Sequence, residues 1–204
     1  MAIIKSGAST DQLTIDPTSK AARVTLYGSD GTYIGERATY RAATTANVVA
    51  AAGAAMFFVI AGSSTKTVKV WHIRVSGETL TTLAVNSIVV EKWSTAPTGG
   101  TITTLTPIPH DSNDPASTAS LVQVYTAAPT EGTLVGTVGC NRHIQKSSTV
   151  VDGSSFDDVE WIFGTYGETR PIVLRGTTQA LSLAFGAAPA TAVTLSVEIE
   201  WTEE

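Results

Sequence analysis

Leu195-Ser196-Val197-Glu198-Ile199-Glu200-Trp201-Thr202 alternates without a break. Leu195, Val197, Ile199 and Trp201 point one way, and Ser196, Glu198, Glu200 and Thr202 the other. A period of two is the signature of a strand buried on one face and wet on the other, here with an acidic outer side. Val68-Lys69-Val70-Trp71-His72-Ile73-Arg74-Val75 carries the same period, which places Trp71, Ile73 and Val75 together on one face.

Working outward, strands are expected at Arg23–Tyr27, Met56–Ala61, Leu83–Trp93, Leu121–Thr126, Leu134–Arg142, Val159–Phe163, Ile172–Arg175 and Leu181–Phe185. Turn chemistry separates them at Ser29-Asp30-Gly31, Thr98-Gly99-Gly100, Glu131-Gly132, Asp152-Gly153, Tyr166-Gly167 and Arg175-Gly176. In such places glycine supplies the positive φ of a tight turn. No apolar stripe with helical spacing persists anywhere. The expected fold is all-β: an antiparallel β-sandwich, jelly-roll-like, with an extended N-terminal arm. The string Ala-Pro-Thr-x-Gly-Thr occurs at Ala96–Thr101 and again at Ala128–Thr133, which reads as one hairpin solution used twice.

Ser6 to Lys20 is rich in Ser, Thr, Asp and Gly, and Gly28 to Ala46 has a turn-like composition. These stretches hold too little apolar mass for a core of their own. Residues 1–50 are therefore expected to form an arm that docks on a neighbour or along the main domain, and residues 51–204 the sandwich.

The 204 residues suffice for one well-buried core. Charged residues make up only 15%, against roughly 25% in a typical soluble domain. Thr, Ser and Ala take their place, a composition that suits surfaces ending up against a partner. The net charge of −5 and the scattered basic residues argue against nucleic acid, which needs a basic stripe. The single cysteine, Cys140, permits no internal disulfide and fits folding in a reducing cytoplasm. Ala42 to Ser64 lacks charge, but its strongly apolar part is only Met56 to Ile60, too short for a membrane helix. No membrane association is expected.

No nucleophile elbow, phosphate-binding loop, H-E-x-x-H or C-x-x-C motif is present. His72 lies within a strand pattern. Cys140 and His143, three apart on a strand, face opposite sides and cannot form a thiol–imidazole pair without a bulge. His110-Asp111-Ser112-Asn113-Asp114-Pro115 offers oxygens for a cation, but Pro115 and Ala116 spoil the calcium-loop spacing. The stretch reads as a turn. Asp157, Asp158 and Glu160 form an acidic cluster of the kind glycoside hydrolysis uses. Asp158 and Glu160, however, share the wet face of a strand that buries Val159, Trp161 and Phe163. Trp71, Trp93, Trp161 and Trp201 all sit in strand patterns and are expected to pack in the core or an interface; a sugar-binding platform would need several aromatics exposed together. No catalytic, cofactor-binding or metal-binding residue is expected.

The opening Met1-Ala2-Ile3-Ile4-Lys5-Ser6-Gly7-Ala8-Ser9-Thr10-Asp11-Gln12-Leu13-Thr14-Ile15-Asp16-Pro17, continuing through Lys20-Ala21-Ala22-Arg23-Val24-Thr25-Leu26-Tyr27, resembles the start of virion structural proteins of tailed bacteriophages. Pro107 to Pro115 and Ile199 to Glu204 are similar to parts of the same family. The resemblance implies a non-enzymatic particle component, made in the host cytoplasm and located in the virion. An outer capsid decoration (cement) protein anchored through its N-terminal arm comes first; a neck or tail fibre or an adaptor is the alternative. The implied partners are copies of itself, by analogy a homotrimer, and the major capsid protein or neck and tail proteins. A carbohydrate- or receptor-binding module on the same fold is the reading from another class.

Overall fold

The computed structural model describes residues 14–15, 22–23, 37–49, 55–147, 158–164 and 170–204. The chain divides into two compact units, Met1–Arg37 and Ala38–Glu204. In the first, β1 (Thr14–Ile15) and β2 (Ala22–Arg23) pair antiparallel, with Thr14 opposite Arg23. Beyond Arg23, the expected strand Arg23–Tyr27 lies outside the described residues, as do the turns at Ser29, Asp152 and Tyr166.

The second unit is the all-β sandwich. Its strands are β3 (Thr39–Val49), β4 (Met56–Ala61), β5 (Val68–Thr79), β6 (Ala84–Trp93), β7 (Thr101–Thr104), β8 (Ile108–Pro109), β9 (Leu121–Ala127), β10 (Leu134–Gln145), β11 (Asp158–Ile162), β12 (Ile172–Leu174), β13 (Ala180–Phe185) and β14 (Val193–Glu203). One sheet runs β10-β6-β13-β4-β9-β7. The other runs β11-β5-β14-β3-β8, with β12 also on β5. Among the described residues no helix is long and apolar enough to cross a membrane.

The pairings nest: β3 with β14, β4 with β13, β5 with β11 and β12, and β6 with β10. The chain thus forms one long hairpin, rolled so that successive strands fall in alternate sheets, which is a jelly roll. β7, β8 and β9 are inserted at the tip of that hairpin.

The boundary expected after residue 50 is corrected to Arg37/Ala38, because β3 is held between β14 and β8 inside the sandwich. Its alternation was hidden for a physical reason. Tyr40 and Ala42 point inward, but a register shift opposite Leu195 and Val197 changes phase, so that Asn47 and Val49 are buried farther along. Asn47 is also polar, its Nδ2 donating to the Tyr125 carbonyl at 3.0 Å.

β14 alternates as expected: Val193, Leu195, Val197, Ile199 and Trp201 are all buried between the sheets. Trp201 stacks on Tyr40 with ring centroids 5.9 Å apart. On β5 the grouping of Trp71 with Ile73 and Val75 is corrected. Glu200 pairs with His72 while Trp201 pairs with Val70, so Trp71 is the extra residue of a β-bulge. It leaves the inward row and donates its indole N–H to Thr202 Oγ1 at 2.9 Å.

A second apolar cluster lies on the other side of the β4-bearing sheet. Met56, Val59 and Ala61 of β4, Ala180 and Ala184 of β13, Trp93 of β6 and Tyr125 of β9 are buried together, with Ala96 packed against them. The Trp93 indole donates to Ser182 Oγ at 2.8 Å and so bridges from β6 to β13.

The two Ala-Pro-Thr loops belong to this layer, and the hairpin reading of them is corrected. β6 does not pair with β7, nor β9 with β10; each loop carries the chain past the two central strands. The loops pair with each other: Thr98 N donates to Thr130 O at 2.9 Å, and Thr130 N to Thr98 O at 2.8 Å. Gly100 lies against Ala127 and Pro129, and Gly132 lies against Thr95 and Ala96. A Cβ on Gly132 would sit 1.8 Å from the Thr95 carbonyl oxygen, so only glycine fits there. The sheet order is unchanged when β6 is exchanged with β9, β7 with β10 and β13 with β4. The repeated string is therefore the local mark of a pseudo-twofold axis, with Trp93 and Tyr125 in matching places.

Candidate functional site

The exposed face of the β5-bearing sheet gathers most of the titratable residues singled out above. Two rows run across the strands. In one, Ile108, Arg41, Glu200, His72 and Ile162 are successive partners; in the other, Ala43, Glu198, Arg74 and Glu160 are. Even-numbered positions of β14 and β5 face outward there, which is why acids and bases accumulate.

The charges are mutually satisfied. Arg41 bridges Glu198 at 2.9 Å and Glu200 at 2.7 Å. Its guanidinium is held above its ordinary pKa, chiefly by the hydrogen bond to Glu200, with burial acting in the opposite sense. Arg74 Nε meets Asp158 at 2.7 Å, and His72 Nε2 lies 2.6 Å from Glu160 Oε1. His110 is 3.9 Å from Glu200. Asp158 and Glu160 are thus exposed and each beside a basic partner. Glycoside hydrolysis needs one carboxyl desolvated enough to keep its proton, and neither of these is in such a place. Asp157 lies outside the described residues.

The remaining candidates are dispersed. Cys140 is exposed while His143 is fully buried, in register with Val89 and Asn86 respectively, so they occupy opposite faces. In the His110–Pro115 stretch, Asp111 Oδ1 accepts from the Asn113 amide and side chain, both at 2.9 Å, and Asp114 N donates to Asp111 O at 3.0 Å. Those bonds make a turn of it. Beside it an open groove of about 450 Å³ is lined by Arg41, Ala43, Thr106, Ile108 and His110. The groove lacks an aromatic wall, and among the described residues every aromatic side chain is buried or half-buried.

Two features went unread in the sequence. Glu203 is buried, and its carboxylate is wrapped by hydroxyl, amide and indole donors. The signal was present, since Glu203 continues the inward odd-numbered row of β14. The second is an apolar strip. β10 ends its sheet, with a strand partner on one side only among the described residues. It exposes Leu134, Val135 (63% accessible), Val138 and Ile144. Val85 of β6, opposite Ile144, and nearby Leu83 (64%) extend the strip. Most large exposed hydrophobics of the described residues lie here, on the last strand of the sheet. Register shifts at Leu134/Gly136 and Thr137/Gly139 leave 139–145 as its regular run.

No protein-family model matches the chain, and neither does any curated protein or solved structure.

Proposed function

We propose that the protein is a non-enzymatic structural component of a tailed-phage particle: an outer capsid decoration protein that assembles with copies of itself and with the capsid. The observation that carries the assembly part is the apolar β10 edge. Burying such an edge against a neighbour removes its exposed apolar side chains from water. The low charge content supports the same reading, as does the jelly roll, a fold used by capsid proteins and also by lectins. The virion setting rests on the resemblance of the N-terminal and C-terminal stretches, with residues 1–37 as the anchor.

Quantitative mass spectrometry of purified particles tests the setting. A copy number that follows the major capsid protein is the expected result. A few tens of copies would move the protein to the neck or tail, and its absence would overturn the proposal. Light scattering of the isolated chain tests the assembly surface. An oligomer that dissociates on Val135→Lys with Ile144→Lys is expected; an oligomer unaffected by both would discard the β10 edge as the contact.

A further inference from the structure

We propose that Glu203 is an acid-sensitive latch holding a strap, residues 115–119, across one end of the sandwich. The strap leads from β8 in one sheet to β9 in the other, and three ties hold it. The Tyr40 hydroxyl donates to the Pro115 carbonyl at 2.9 Å. Ser120 donates to the Gly62 carbonyl through N at 3.0 Å and through Oγ at 2.7 Å. Between these, the Glu203 carboxylate takes Ser117 Oγ at 2.6 Å, Thr118 N at 2.9 Å, Thr118 Oγ1 at 2.6 Å and Ala119 N at 3.3 Å. The Trp201 indole completes the set at 3.1 Å.

The Thr118 and Ala119 amides and the Trp201 indole can only donate, and the two hydroxyls also donate here, so the arrangement suits the acceptor-only, ionised carboxylate best. A protonated Glu203 would lose the charge assistance of the three N–H bonds and force at least one hydroxyl to turn from donor to acceptor. At 4% accessibility, no water stands ready to replace the lost bonds. Burial alone pushes the carboxyl pKa up. The bonds from Ser117, Thr118 and Trp201 outweigh it, and the group sits below the ordinary glutamate value. A pKa lowered by folding stabilises the closed strap above the unfolded value, and that contribution is lost as pH falls through the folded one.

The other titratable groups around it do not compete for this role. Tyr40, on β3, is raised by burial and by the charges of Glu203 and Asp114, so it remains a protonated donor. Asp114 lies just before the strap and is exposed to partial degree. On β5, Lys69 is paired with Glu204. Release therefore turns on one carboxyl, and it would loosen the rim around the Tyr40–Trp201 stack while the sheets stay paired.

Amide hydrogen exchange of the full chain across a pH series, corrected for the intrinsic chemical rate, tests this. The Thr118 and Ala119 amides are expected to be protected at neutral pH. In acid, below the ordinary glutamate range, they should lose about tenfold or more of that protection while Ile60 and Leu181 keep theirs. Glu203→Gln should release the strap at neutral pH and remove the pH step. Wild-type protection of the strap in Glu203→Gln would overturn the latch. So would strap and core amides losing protection together in the wild-type chain, a comparison that stands even if the variant does not fold.

Discussion

The two outer faces of the sandwich are built on opposite terms. On the β5-bearing sheet the outward residues are mostly polar or charged, with the charges paired and wet. At the centre of the β4-bearing sheet they are mostly apolar and dry, with Val59, Ala61 and Ala180 completely inaccessible beneath Trp93 and Tyr125. A jelly roll needs only one core, between its sheets. Here the two paired loops supply a lid for a second one, so the central strands β4 and β13 are buried on both faces. β4 (MFFVIA) and β13 (ALSLAF) accordingly read as nearly continuous apolar runs, while β14 and much of β5 alternate. The dry outer centre contributes stability, and the ion pairs of the wet face contribute little.

That contrast can be broken experimentally. The largest effect should come from Trp93→Ala, about 3–5 kcal/mol by chemical denaturation, matching Trp201→Ala in the inner core. A loss under about 1 kcal/mol for Trp93→Ala would mean that the outer cluster is not a core. Gly132→Ala comes next: forcing a Cβ against the Thr95 carbonyl should cost about 1–3 kcal/mol, with the damage confined to the two loops in exchange measurements. Wild-type loop protection would show that the loops are not clasped.

A smaller effect tests pH. Glu91, on the lidded face, is raised by burial first and then by Glu131, with the Ser182 hydrogen bond opposing. A raised folded-state pKa gives a contribution that is full below the unfolded value and lost as pH rises through the folded one. Glu91→Gln should therefore raise stability at neutral pH by less than about 1 kcal/mol given its partial exposure, seen as a slightly higher melting temperature. Melting curves at pH 4 and pH 7 check it, and an unchanged difference between them would sink the assignment. The smallest effect should be on the wet face. Arg41→Ala should change stability by about 1 kcal/mol or less and lose even that at high salt. A larger, salt-independent loss would make that face part of the stabilising structure after all.

The alternation in β14 and the apolar runs of β4 and β13 made the fold class legible in the sequence, because burial on one face or both leaves a direct trace there. Bulges hid the rest. In β3 and at Trp71 the chain changes phase mid-strand, so each half alternates but the whole does not. β7 and β8 are too short to show a period. The repeated Ala-Pro-Thr loops were visible, but their pairing depends on a sheet order that local turn chemistry does not encode. For the site, the strand parity of Asp158 and Glu160 was readable, and so was that of Glu203. Arg41 was not, since the register of β3 against β14 decides what it meets.

The nesting of the pairs also sets a timetable. β14 occupies the place between β3 and β5, although more than a hundred residues separate it from either in the chain. Until β14 has left the ribosome, two early strands flank an empty slot, each with a full row of main-chain groups open to the wrong partner. Pairings this distant in sequence form slowly, because the closure entropy is spent before the contacts return it. For this molecule the dangerous interval is synthesis itself, and shielding of the nascent strands would decide its yield more than any single contact in the finished sandwich.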